Sequence, residues 1–133
     1  MNLFAKLKKL KIILIDDDEW IRDSMRIFFE YEGCNLMTLE TAEEALKAIG
    51  KQKFDIIIAD YKLPGMDGIE FFKRIQTSAN RPIKILITAY HSQSVAEMVK
   101  EAGIHDLIEK PFQPETIEAT LSKLLKNREC NVE

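Results

Sequence analysis

The chain has 133 residues, 46% of them hydrophobic and 31% charged, with a net charge of −3 and a pI of about 5.5. This length suits one domain with a single hydrophobic core. The acidic balance argues against a protein that binds nucleic acid with its whole surface, since such proteins carry a basic face. The longest apolar runs are far shorter than the ~20 residues of a membrane span, so no transmembrane segment is expected.

Residues 1–10 are predicted to be an N-terminal extension. Three lysines are interspersed with apolar residues there, a pattern that favours one extra turn over a membrane anchor or a signal peptide. Cys34 and Cys130 lack C-x-x-C spacing, so neither a disulfide framework nor a zinc site is expected. The expected compartment is the reducing cytoplasm.

The remainder alternates short apolar runs with helical patterns. In chain order, strands are predicted over residues 11–15, 36–39, 54–59, 83–89 and 106–109. Apolar residues at helical spacing predict five intervening or following helices, over residues 19–32, 42–49, 69–77, 95–102 and 114–126. Capping boxes at Thr41–Glu44 and Ser94–Glu97 are predicted to start the second and fourth helices. The main domain is predicted to span residues 11–126, and residues 127–133 are predicted to be a tail.

Strands that alternate with helices predict a parallel sheet covered by helices on both faces. Right-handed crossovers make this an α/β, doubly wound fold. Ligands of such folds bind beyond the carboxyl ends of the strands, where the strand order reverses. The function is therefore expected to depend on the residues at those ends.

Acidic, hydroxyl and amino groups occupy the strand ends. The first strand ends in an acidic run that includes Asp16 and Asp17, the third in Asp60, the fourth in Thr88, and the fifth in Lys110. Crowded carboxylates repel one another unless a hard cation such as Mg²⁺ neutralises them. A lysine and a threonine suit phosphoryl oxygens, and one carboxylate can attack phosphorus. The set predicts a magnesium-dependent phosphoryl-transfer site.

Four motifs resemble the response-regulator receiver domain over residues 10–126. They are Ile-Leu-Ile-Asp-Asp at 13–17 followed by Arg22, the run from Asp60 to Gly68, Leu-Ile-Thr-Ala at 86–89, and Lys-Pro-Phe at 110–112. The resemblance implies a flavodoxin-like, five-stranded parallel sheet of order 2-1-3-4-5 with five helices. The spacing of Arg22 assigns the two acids as Asp16 and Asp17, and leaves Asp18 as the N-cap of the first helix.

The resemblance also implies roles. Asp60 would be the phosphoacceptor, Asp17 a direct Mg²⁺ ligand, and Asp16 a ligand through metal-bound water. The backbone carbonyl of Lys62 would complete the metal site together with Asp60. Thr88 and Lys110 would hold phosphoryl oxygens, with a cis bond before Pro111.

The same resemblance implies partners. The phosphodonor would be a sensor histidine kinase, a phosphotransfer protein or a small phosphodonor, and the chain would assist its own phosphorylation rather than act as an enzyme. The expected output surface is formed by the fourth predicted helix, the fifth strand and the fifth helix. The chain is expected to be a stand-alone receiver. Docking on a partner, onward relay, membership of a larger regulator and homodimerisation are all left open.

Four positions carry further expectations. The family usually has an aromatic residue where this chain has Leu107, so the usual aromatic half of the switch is missing, and Tyr90 is a substitute of lower weight. Lys62 and Tyr90 are both large and flank the expected path of attacking water, which predicts a shielded, longer-lived phosphoryl group. Trp20 is expected to be partly buried.

Other functions fit less well. A haloacid-dehalogenase-type phosphohydrolase needs a second aspartate where Lys62 stands. A flavodoxin-type nucleotide site needs a small polar loop after the first strand, where the acidic run would repel phosphate. A pseudo-receiver, acting by protein binding without phosphorylation, remains the alternative. Leu107 favours this alternative, whereas the intact acid cluster argues against it.

Overall fold

The structure, a computed structural model, describes residues 2–76 and 81–130. Its strands are β1 (Ile12–Ile15), β2 (Leu36–Leu39), β3 (Ile56–Asp60), β4 (Ile83–Thr88) and β5 (Asp106–Glu109). Its helices are α1 (Leu3–Leu7), α2 (Glu19–Tyr31), α3 (Ala42–Lys51), α4 (Gly68–Ile75), α5 (Gln93–Glu101) and α6 (Pro114–Cys130). No helix within these residues combines the length and apolarity needed to cross a membrane.

The five strands form one parallel sheet in the order β2-β1-β3-β4-β5. This confirms the predicted doubly wound α/β fold. Alternate strand residues point to opposite faces. Ile13 and Ile15 join one core cluster with α3, α4 and α5, while Ile12 and Leu14 join another with α1, α2 and α6. Both faces are covered, which is why β1, β3 and β4 are apolar along almost their whole length.

The structure has six helices in its described part where five were predicted. The additional helix, α1, is part of the predicted N-terminal extension and packs on the fold. Its Leu7 is fully buried, and its Phe4 ring meets the Phe28 ring of α2 edge-on at 6.0 Å. At the other end, α6 continues to Cys130, beyond the predicted boundary at residue 126. Residues 131–133 of the expected tail lie outside the described residues.

Two helix N-caps were predicted correctly and one wrongly. Asp18 caps α2 by accepting hydrogen bonds from the Trp20 and Ile21 amides, and the Thr41–Glu44 capping box starts α3. The prediction of a capping box at Ser94–Glu97 was wrong. Ser92 is the N-cap of α5, because its hydroxyl accepts the Val95 amide. Ser94 therefore lies inside the first turn.

Several other boundaries shift by one or two residues. Helix α2 ends at Tyr31, α3 passes the predicted stop at residue 50, and β3 begins at Ile56. Strand β4 ends at Thr88 instead of residue 89, and α4 begins at residue 68. The predicted end of the third helix, residue 77, lies outside the described residues.

Trp20 was wrongly predicted to be partly buried, since 75% of it is exposed. It lies in the first turn of α2, whose inner face is formed by Met25 and Phe29. Trp20 forms an outer apolar stripe with Ile27 and Tyr31, which are 65% and 87% exposed. These three residues are spaced by seven and four positions, so they lie on one side of the helix.

Candidate functional site

The parallel sheet brings the predicted site residues to one edge. Asp16 directly follows β1, Asp60 ends β3, Thr88 ends β4, and Lys110 follows β5. The strand registers pair Ile15 with Ala59, and Asp60 with Ile87. The carboxyl ends are therefore level with one another, and side chains that are far apart in sequence share one pocket.

Three carboxylates converge there. Asp16, Asp17 and Asp60 each place one oxygen within 4.8 Å of the others. Asp16 is fully buried and Asp60 is 4% exposed, whereas Asp17 faces solvent. Three negative charges at this separation repel one another, so a cation is needed to balance them.

Lys110 supplies one such cation. Its ammonium donates a 2.9 Å hydrogen bond to Asp60 Oδ2 and lies 3.3 Å from Asp16 Oδ2. Burial by itself lowers the pKa of Lys110, but the Asp60 hydrogen bond and the charges of both carboxylates raise it overall. Lys110 is thus held as an ammonium. Burial raises the pKa of Asp60, against the opposing hydrogen bond and charge of Lys110.

Asp16 is buried with incomplete hydrogen bonding. Burial raises its pKa to about 6, and the charge of Asp60 acts in the same direction. Its Oδ1 accepts the Asp18 amide at 2.9 Å, but its buried Oδ2 accepts no hydrogen bond. The Lys110 ammonium lies 3.3 Å from this oxygen, but its shorter contact, at 2.9 Å, is with Asp60. A buried carboxylate oxygen with an unused lone pair, beside two further acids, fits a divalent cation such as Mg²⁺ or its bound water.

The Thr88 hydroxyl is hydrogen-bonded to the backbone of Tyr90. The hydroxyl donates to the Tyr90 carbonyl at 3.1 Å and accepts the Tyr90 amide at 3.0 Å. Thr88 is nevertheless fully buried at the end of β4, in line with Asp60. The hydroxyl is thus bonded to the connection between β4 and α5. It has one proton to donate, so it could donate to a phosphoryl oxygen only after breaking its bond to the Tyr90 carbonyl.

Lys62 and Tyr90 meet at the rim of the pocket. The Lys62 ammonium lies 5.8 Å from the ring centroids of both Tyr61 and Tyr90, within the range of a cation–π contact. The Tyr90 side chain is otherwise 63% exposed. Leu107, at the aromatic position of the family, is half-buried and packs against the core cluster that contains Val95 and Val99.

The structure adds two supporting residues. Arg22 donates a 2.9 Å hydrogen bond to the Asp16 carbonyl, which holds the acidic loop in place. The second is Gly68, where an added Cβ would collide with the Asp60 carbonyl oxygen. The requirement for glycine here comes from a close approach between two segments of the fold. The bond between Lys110 and Pro111 is cis, as expected.

A model of the response regulator receiver domain matches residues 12–122. This chain belongs to that family. Receiver domains characteristically accept a phosphoryl group on an aspartate, bind Mg²⁺ in an acidic pocket, interact with histidine kinases or phosphotransfer proteins, and in some cases dimerise.

Individual relatives of known sequence support the membership of this family. The receiver is 32% identical to the transcriptional regulatory protein AfsQ1 of Streptomyces coelicolor, over 89% of this chain and 52% of that protein. It is also 32% identical to sporulation initiation phosphotransferase F of Bacillus subtilis, over 86% of this chain and 93% of that protein. The chain thus spans about half of AfsQ1 but nearly all of the phosphotransferase.

Solved structures show the same architecture. The chemotaxis response regulator CheY4 of Vibrio cholerae superposes with a TM-score of 0.80 at 29% identity, covering 86% of this chain and 97% of that one. A CheY-like receiver domain protein of Methanospirillum hungatei superposes with a TM-score of 0.85 at 29% identity, covering 92% and 98%.

Proposed function

We propose that Asp60 accepts a phosphoryl group from a phosphohistidine on a histidine kinase or phosphotransfer protein, in a magnesium-dependent reaction. The observation that carries the proposal is the pocket in which Asp60 meets Lys110 at 2.9 Å and shares a cluster with Asp16 and Asp17. In the attack, one Asp60 oxygen forms a bond to phosphorus. The bond from phosphorus to the donor's imidazole nitrogen breaks, and its electron pair stays on the nitrogen.

The metal ligands are proposed to be Asp17, Asp60 and the backbone carbonyl of Lys62, with Asp16 acting through metal-bound water. A bound Mg²⁺ would neutralise negative charge on the transferring group. The buried Asp16 Oδ2 supports this assignment, because it has no well-formed hydrogen bond and its contact with the Lys110 ammonium, at 3.3 Å, is a long one.

Lys110 and Thr88 are proposed to hold phosphoryl oxygens. Lys110 is already beside the attacked carboxylate, so its ammonium can pass from Asp60 to the new phosphoryl group with little movement. Thr88 must first release Tyr90. Its hydroxyl is proposed to exchange the Tyr90 carbonyl for a phosphoryl oxygen, which would loosen the connection that leads into α5.

We propose that this change is passed to a protein partner through the face formed by α5, β5 and α6. These elements are the fourth helix, fifth strand and fifth helix of the family pattern, because α1 is additional. Leu107 lies on β5 and packs against the core cluster that contains Val95 and Val99 of α5, so it is the proposed link between the β4–α5 connection and the rest of this face. Homodimerisation through the same face would be an alternative output.

The donor protein is proposed to cover a groove of about 630 Å³ between the start of α2 and the segment that leads into α6. Trp20, Lys110 and Phe112 are among its lining residues, so the groove has the lysine that pairs with Asp60 on one side and the first residue of the exposed α2 stripe on the other. For a histidine kinase that phosphorylates the wild type, Trp20→Ala should lower the rate of transfer about tenfold relative to labelling by acetyl phosphate. Equal losses with both donors would contradict this docking site.

Intact-mass measurement tests the acceptor. Acetyl phosphate with Mg²⁺ should add one phosphoryl group to the wild type, and none to Asp60→Ala or to the wild type without Mg²⁺. A wild type that acquires no adduct, although it folds, would overturn the proposal in favour of a pseudo-receiver. An adduct retained by Asp60→Ala would move the acceptor to another residue.

A further inference from the structure

Glu43 holds the loop that leads from Asp60 to α4. Its Oε2 accepts the Met66 amide at 3.1 Å, a contact between residues 23 positions apart. Glu43 is the second residue of α3, whereas the N-terminal cap of that helix is made by Thr41 and Glu44. The Glu43 carboxylate is therefore not needed for capping and reaches across to a different segment.

Gly65 makes room for this contact. Its φ of 77° lies in the left-handed region, and a Cβ built on it would lie 2.8 Å from Glu43 Oε2. Both the backbone conformation and the space beside it thus favour glycine. The carboxylate lies directly over the turn, so it restrains Gly65 by contact and Met66 by a hydrogen bond.

The other end of the loop is closed at its base. The Gly68 amide donates to the Tyr61 carbonyl at 2.9 Å, and Leu63 is buried in the core. Lys62 lies between Tyr61 and Leu63, which are both anchored in this way. The direction of its carbonyl therefore depends on how the short loop of residues 61–67 is held, and Glu43 is the side chain on α3 that holds its tip.

We propose that Glu43 is a positioning residue for the metal site, acting through the loop to keep the Lys62 carbonyl where a cation needs it. The inference rests on the proposed function, because it assumes that Lys62 contributes to a Mg²⁺ site. A freer loop would have to be ordered again when the metal binds, and that cost would appear as weaker binding.

The test is calorimetric titration of Mg²⁺ into the wild type, Glu43→Ala, Glu43→Gln and Glu44→Ala. Glu43→Ala should raise the Kd for Mg²⁺ about fivefold, the equivalent of one ordinary hydrogen bond. Glu43→Gln keeps an acceptor oxygen without the charge, so its Kd should stay within about twofold of the wild type. Glu44→Ala removes the capping box of the same helix, and should lower the melting temperature without changing the Kd.

Hydrogen exchange at the Met66 amide gives a second readout, and should be faster in Glu43→Ala alone. An unchanged Kd in Glu43→Ala would overturn the inference. So would a Gln variant as weak as the Ala variant, because the effect would then be one of charge. If the wild type binds Mg²⁺ but acquires no phosphoryl group, the proposed function fails, while the Glu43 comparison still supports or overturns positioning. A wild type that binds no Mg²⁺ overturns both.

Discussion

Lys110 Nζ and Asp60 Oδ2 lie 2.9 Å apart, although 50 residues separate them in the chain. The pair joins the end of β3 to the residue after β5, across the intervening β4. Its side chains are 22% and 5% exposed, so the charges interact through protein more than through water. The same ammonium is 3.3 Å from Asp16, and the three groups therefore depend on one another.

Replacing Lys110 by methionine should destabilise the metal-free protein. Asp16 and Asp60 would remain buried without their cation, and breaking a buried ion pair costs on the order of 3 kcal/mol. Mg²⁺ should restore part of this stability, since it supplies the missing positive charge. Urea unfolding at pH 7.5 with and without Mg²⁺ measures both effects. Lys47→Met, at an exposed position on α3, is the control, and equal stability of the two variants would contradict the prediction.

The metal-free protein should become more stable as the pH falls from 7.5 toward 5. The pKa of Asp16 is raised from 3.8 to about 6 by burial, so the folded state binds a proton more tightly than the unfolded chain. Stability from this group is then present below pH 3.8 and is lost as the pH rises through about 6. The full difference is on the order of 3 kcal/mol.

Mg²⁺ should oppose this pH dependence of stability, because it competes with the proton for the same carboxylates. The increase in melting temperature with Mg²⁺ should be larger at pH 7.5 than at pH 5. Asp16→Asn removes the titrating group and should flatten much of the metal-free pH profile. An increase of equal size at both pH values would count against a metal site that includes Asp16.

Gly68→Ala should cost about 1–3 kcal/mol of unfolding free energy, because the new methyl group would collide with the Asp60 carbonyl. Gly50 provides a matched control in α3, since a Cβ there meets nothing within 4 Å. Gly50→Ala should stabilise the protein by up to about 1 kcal/mol, since Gly50 is the penultimate residue of α3 and alanine has the higher helix propensity. Denaturant unfolding of both variants checks the prediction, which is wrong if the two substitutions change stability in the same direction.

Tyr90→Ala should shorten the lifetime of the phosphorylated protein several-fold. The Tyr90 ring and the Lys62 ammonium are 5.8 Å apart at the rim of the pocket, and removing the ring should open a path for water to the phosphoryl group. Loss of the adduct over time, followed by intact mass after acetyl phosphate is removed, measures the lifetime. Tyr31→Ala is the control, since Tyr31 is 87% exposed on α2. A lifetime unchanged in Tyr90→Ala would show that the rim does not shield the phosphoryl group.

The sequence by itself determined the fold class, the strand order by family resemblance, and the identity of the strand-end residues. This succeeded because buried parallel strands are almost wholly apolar, and the polar residues that follow them stand out. The N-caps Asp18 and Thr41 were also predictable from the sequence, since N-caps depend on hydrogen bonds within four residues. Ser94 was misread because Ser92 offers the same local chemistry two residues earlier.

Only the tertiary structure decided the features that depend on distant contacts. The exposure of Trp20, the packing of α1, the burial of Asp16 and the collision that Gly68 avoids all arise from which segments meet across the fold. The link between Glu43 and Met66 is of the same kind. A helix N-terminus commonly carries a glutamate, and nothing in its local pattern tells which one reaches another loop. That choice is made when the sheet brings α3 beside the end of β3.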